Sequence, residues 1–105
     1  MLRIYAVVLD VLKQLQPQVR SIERRDRDLA RQLRRCSASV ALNLAEDMYS
    51  RGQNRAARYH NALGSARETW SCLEVAAVCG YVEPDARLLD RLDRIVGTLV
   101  KLVAN

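Results

Sequence analysis

The chain is predicted to be all-α, an antiparallel up-down-up-down four-helix bundle in one domain spanning residues 1–105, and three observations predict it. The first is how few chain breakers there are. Four glycines and two prolines do not supply the turns of an all-β fold. The second is the make-up of the core. Half of the residues are hydrophobic, yet Tyr5, Tyr49, Tyr59, Trp70 and Tyr81 are the only aromatics and Phe is absent. A core of that kind is aliphatic and Ala-rich, which favours helices over sheet. The third is period: apolar residues recur three and four apart in long segments separated by short polar ones. Short connections make consecutive helices antiparallel neighbours. A chain of 105 residues buries roughly two thirds of its unfolded surface in one core, with no room for a second.

Leu2, Tyr5, Leu9, Leu12 and Val19, flanked by Ile4, Val8, Val11 and Leu15, define the first helical stripe. Pro17 removes a backbone bond and crowds the preceding turn, so this helix is expected to kink, or to end near Gln14 to Gln16 and resume. Arg20 to Asp28 is then a charged connection or frayed end. Asp26 or Asp28 caps the second helix, which runs to about Tyr49. Ser50 to Asn54 reads as a turn. The third helix runs from near Asn54 to Cys79 along Tyr59, Leu63, Ala66, Trp70, Leu73 and Ala77, with Gly80 as its left-handed stop. Glu83-Pro84-Asp85 opens the fourth with Pro in the first turn, and Leu88, Leu92, Ile95, Leu99 and Leu102 carry its seam to the C-terminus. On the third helix the face opposite the seam (Ala57, Asn61, Gly64, Ser65, Glu68, Cys72, Val75 and Cys79) is mostly small. Its Gly64 costs about 1 kcal/mol against Ala unless the space is used, so a second packed neighbour is expected there.

Gln32 to Glu46 organises the rest. Leu29, Leu33, Cys36, Val40 and Leu44 form one stripe, and Gln32, Arg35, Ser39, Asn43 and Glu46 form a polar line beside it. A solvated face would be rich in Lys and Glu, whereas Ser, Asn and Gln in a line point to partners on a neighbouring helix. If helices two and three are antiparallel, facing residues have numbers summing to roughly 103. Arg35 then faces Glu68, Ser39 faces Gly64 and Ser65, Asn43 faces His60 and Asn61, and Glu46 faces Arg58. Gln32, Arg35, Ser39, Asn43, Glu46, Ser65 and Glu68 are accordingly read as a buried network that fixes register, in preference to a catalytic row.

The formal charge is +5, and all seventeen basic residues except Lys13 and Lys101 are Arg. Arg suits phosphate or carboxylate recognition, although a GC-rich genome would give the same bias. Arg20, Arg24, Arg25, Arg27, Arg31 and Arg34 crowd the first connection and the outer face of helix two against Glu23, Asp26 and Asp28. Such a cluster makes salt-sensitive, largely sequence-independent phosphate contacts. Cys36, Cys72 and Cys79 lie in apolar helical patterns, as reduced cysteines of a cytoplasmic protein do. Cys72 and Cys79 are about 10 Å apart along a helix and cannot share a metal. No signal peptide is read, and Ile4 to Leu9 is too short to cross a membrane. His60 is the single histidine, and no phosphate loop, nucleophile elbow or paired acid motif occurs. No enzymatic activity, metal or cofactor is expected.

Gln32-Leu33-Arg34-Arg35, Ser39-Val40, Asn43-Leu44-Ala45-Glu46, Gly64-Ser65-Ala66-Arg67-Glu68 and Gly80-Tyr81-Val82 together resemble the four-helix bundle family of intervening-sequence proteins. Its members are encoded within bacterial large-subunit ribosomal RNA genes and elsewhere, and it is related to the accessory variability proteins of diversity-generating retroelements. The resemblance covers about Leu29 to Leu102. It implies a homopentameric ring and, for the retroelement relatives, binding to nucleic acid and a reverse transcriptase. Asp47 departs from it, since the family usually has Gly there, and so does the short N-terminal stretch; the former suggests a longer or differently stopped second helix. The expected function is therefore a non-enzymatic oligomer that binds RNA or DNA backbone. The alternative is a scaffold that binds a protein partner through Leu42, Tyr49 and the small-residue face of helix three.

Overall fold

Four helices follow one another along the chain: α1 (Arg3–Glu23), α2 (Arg27–Tyr49), α3 (Arg55–Val78) and α4 (Ala86–Ala104). The computed structural model describes residues 3–49 and 54–104, a bundle of 42 × 22 × 19 Å. The turn expected at Ser50 to Gln53 lies outside the described residues, as does Leu2.

Each boundary has a local cause. Asp26 caps α2 by accepting the Leu29 N–H at 2.9 Å, and Asp85 caps α4 by accepting the Leu88 N–H at 3.1 Å. Both are side-chain oxygens that satisfy an otherwise orphaned donor of the first turn. Pro84 therefore stands just ahead of the α4 cap and not inside the first turn, as the sequence had suggested. At the end of α3, Gly80 takes φ 77°. Its N–H reaches the Ala77 carbonyl at 3.0 Å and the Tyr81 N–H reaches Ala76 at 2.8 Å, the paired bonds of a Schellman stop. Asn54, with φ 59°, is left-handed immediately before α3.

Pro17 does not end α1, which rules out the interruption that was one of the two expected outcomes: the helix is unbroken from Arg3 to Glu23. The ring sits on the exposed side, while Val11, Leu15, Val19 and Ile22 stay buried on both sides of it. The lost backbone bond thus falls where water replaces it, and the continuous apolar stripe outweighs the defect.

The core is a column of Leu, Val, Ile and Ala from all four helices, with Leu15, Ile22, Leu33, Leu44, Leu88 and Leu99 fully enclosed. Polar ties fasten its outside. Arg91 of α4 pairs with Asp10 of α1 at 2.7 Å and donates to Gln14 at 2.8 Å, and Gln18 of α1 donates to the Glu83 carbonyl at 3.2 Å. Between α2 and α3, Glu46 pairs with Arg58, Ser39 with Ser65, and Cys36 with Thr69. One number falls as the other rises, with the register shifted by only a residue or two from the sequence-based pairing.

Most of the outward face of α3 has no close neighbour among the described residues. Ala57, Asn61, Gly64, Glu68, Val75 and Cys79 are exposed, and a Cβ added at Gly64 would meet nothing within 4 Å. Cys72 and Ser65 of the same face are buried and half-buried, so within the chain only part of that face is packed. Among the described residues no helix is long and apolar enough to cross a membrane.

Candidate functional site

All six arginines of the predicted cluster are exposed, but the structure divides them. Arg34 turns toward α1 and donates to Glu23 at 2.6 Å. That bond, and the charge behind it, holds the Glu23 carboxyl below its usual range and raises the Arg34 guanidinium. Arg25 lies over the Tyr81 ring at 5.6 Å, a cation–π contact that leaves guanidinium donors facing outward. Tyr81 stands there because the Gly80 stop turns the chain across the end of the bundle. Burial, then Asp26 and Cys79 nearby, push its phenol up. Arg31 turns the other way, 3.8 Å from the exposed Asp28, into a groove between α2 and α3. Arg20, Arg24 and Arg27 complete the basic end.

The groove has a volume of about 520 Å³ and is lined by Asp28, Arg31, Gln32, Arg35, Cys36, Ser39, Ser65 and Glu68. Most of the polar row read from the sequence lies here, and it is not buried as expected. Gln32, Arg35, Glu46 and Glu68 are exposed; Ser39, Asn43 and Ser65 are half-buried. Ser39 meets Ser65 and Glu46 meets Arg58 as paired from the sequence, but the row follows the rim of the α2–α3 seam and not its centre. Water therefore solvates what a low-dielectric interior would have forced to pair. No ion pair joins Arg35 to Glu68 among the described residues. Ser65 Oγ donates to Ser39 Oγ at 2.9 Å, and Asn43 Nδ2 donates to the Ser39 carbonyl at 2.9 Å and to Ser39 Oγ at 3.1 Å. Asn43 thus bonds along its own helix and not to His60 or Asn61.

Cys36, which also lines the groove, belongs with Thr69 and Ser37 to a second set of polar groups, smaller and buried. Thr69 Oγ1 meets Cys36 Sγ at 3.3 Å and donates to the Ser65 carbonyl at 2.8 Å, while Ser37 Oγ donates to the Leu33 carbonyl at 2.6 Å. Burial pushes the Cys36 thiol up, and burial with Cys36 and Glu68 nearby pushes Cys72 up to about 12. Both are neutral thiols at physiological pH and poor nucleophiles. Among the described residues no three His, Cys, Asp or Glu side chains converge as a metal site would need.

Asp47 is the buried charge that sequence reasoning missed as a contact. It is 3% exposed and accepts from Arg55 Nε at 3.1 Å and from the Tyr59 hydroxyl at 3.2 Å, so the end of α2 grips the start of α3. Burial and the Asp47 charge push the Tyr59 phenol up. The signal in the sequence was an acid where an apolar helix face predicts a core residue. Tyr81, read only as part of a Gly-Tyr-Val motif, was the other omission.

The chain is an all-α protein of four helices in which a basic end lies beside a solvated polar groove. The chain belongs to the 23S rRNA-intervening sequence protein family, whose model matches residues 2–101. No curated protein and no solved structure matches it.

Proposed function

We propose that this protein is a non-enzymatic oligomer that binds the backbone of RNA or DNA through Arg20, Arg24, Arg25, Arg27 and Arg31, with Arg35 extending the surface along the groove. The observation that carries this reading is the exposure of these guanidiniums at one end of the bundle, while the local acids are few and Glu23 is already engaged by Arg34. A basic surface of that kind attracts polyanions and releases their counterions. The family's description, which refers to 23S rRNA, favours RNA. The helices run up-down-up-down in this reading, supported by the opposed numbering of the α2–α3 and α1–α4 partners.

The homopentameric ring implied by the family resemblance is part of the proposal. Leu42, Tyr49, Val75 and Val78 are 65%, 83%, 49% and 88% exposed, and closed assembly covers apolar surface of this sort. A monomer mass near 11.9 kDa by light scattering at micromolar protein contradicts the ring. Binding is tested by fluorescence anisotropy on mixed single-stranded RNA across a salt series. The expected slope of log affinity against log salt is about −0.7 for each phosphate contact. Absence of binding at roughly 50 mM salt, where such contacts are strong, overturns the reading and leaves a scaffold that binds protein through the same apolar residues.

A further inference from the structure

Resting on the binding reading above, we infer that the α2–α3 groove is a pocket for one unpaired guanine base of a bound single strand. The groove opens beside the basic end, and Arg31 belongs to both. A strand held by the arginines is therefore carried to the groove mouth. Its volume of about 520 Å³ lies within the range of ligand clefts, about 300 to 1,000 Å³.

The lining selects the base. Arg35 from α2 and Glu68 from α3 both line the groove without an ion pair between them. Opposite charges so placed leave an acceptor and a donor available to a ligand that carries both functions. An ionised Glu68 only accepts, through two oxygens a fixed distance apart. Guanine presents two adjacent donors on its Watson–Crick edge, the N1–H and the exocyclic N2–H, which match that pair. Adenine and cytosine each offer one amino group beside a ring acceptor, and uracil offers one N–H flanked by two carbonyls that a carboxylate repels. Arg35 and Arg31 supply planar guanidiniums for stacking or for the base O6 and N7 acceptors, as unpaired RNA bases are commonly held. Ser39 and Ser65 already bond each other and the Asp28 carboxylate lies 3.8 Å from Arg31, which leaves Glu68 and the exposed Gln32 amide to set the preference.

The test uses the full chain and otherwise identical adenosine-rich RNA oligomers carrying one guanosine, one inosine or no replacement, compared by anisotropy at fixed low salt. The guanosine oligomer is expected to bind at least about fivefold tighter than the all-adenosine one, as a good bidentate contact discriminates, with inosine, which lacks the N2 amine, between them. Glu68→Gln is expected to collapse that ratio toward one. The ratio is the readout, because removing an acid strengthens backbone contact with every oligomer. Glu68 is exposed, and an unchanged circular dichroism melt shows that the variant folds. Equal affinities for all three oligomers, with the salt slope retained, overturn the guanine pocket and leave the backbone reading standing. No affinity for any of them overturns both.

Discussion

The α1–α4 pair and the α2–α3 pair solve the same packing problem with different side chains. Where α4 meets α1, Leu88, Leu92, Ile95 and Leu99 pack with Val8, Val11 and Leu15 in the core, and the polar contacts, Arg91 with Asp10 and Gln14 and Gln18 with the Glu83 carbonyl just ahead of α4, lie at the rim. In α2 and α3, the buried residues include Ala41, Ala62, Ala66 and Ala76 with Ser37, Thr69, Cys36 and Cys72. Large aliphatic residues fill their own space in the core, and the hollows over that seam are lined by Ile4, Val7 and Ile95 on one side and by Asp10, Gln14 and Arg91 on the other. Small ones leave polar neighbours along the seam's edge, and there the groove opens. The strongly amphipathic pair meets through large apolar stripes, while the less amphipathic pair carries a line of polar side chains beside its seam.

The comparison breaks most visibly at the aliphatic seam. Leu99 is fully enclosed, and Leu99→Ala is expected to cost about 2–5 kcal/mol from lost burial and the cavity left behind, with affinity for RNA unchanged once folded. Chemical denaturation with an anisotropy titration measures both. Next in size is Asp47→Ala, which strands the buried Tyr59 hydroxyl and frees Arg55. A loss of about 1–3 kcal/mol is expected, and Tyr59→Phe in the same background should recover part of it.

Titration sharpens the contrast, since the displaced thiol belongs to the α2–α3 pair. The fold favours the neutral Cys72 thiol, whose pKa rises from 9.0 to about 12. Its contribution to stability is whole below pH 9 and is lost as pH climbs through about 12. Thermal melts from pH 8 upward are expected to fall over that window, more shallowly in Cys72→Ala. The smallest stability effect belongs to Arg35→Ala. Because Arg35 is exposed and joins no ion pair with Glu68, the change should stay within about 0.5 kcal/mol, whereas a buried register-fixing pair would cost about 3–5 kcal/mol.

That last contrast marks what the sequence makes legible. Helix number, three of the four caps and stops, and the α2–α3 register all follow from periodicity and from Asp26, Asp85 and Gly80, because these are local or one-dimensional signals. The depth of the polar row does not. Ser39 facing Ser65 is a matter of register, but whether Arg35 lies inside or at the rim depends on how α2 and α3 are rotated about their own axes, which a stripe of mixed small residues leaves weakly specified. The choice left open at Pro17 is settled against an interruption for a related reason: its effect depends on which side of α1 meets water. The cluster was found by charge, yet its division among Glu23, Tyr81 and the groove needed the two connections brought together in space.

The central claim is that the basic end binds nucleic acid while the seams hold the bundle independently. The most direct measurement is the salt dependence of single-stranded RNA affinity for the native chain and for Arg24→Glu, Arg27→Glu and Arg31→Glu combined, with a thermal melt of each. The account predicts an intact cooperative melt for the variant together with loss of both affinity and salt slope. A variant that folds and still binds RNA with the native slope would contradict it.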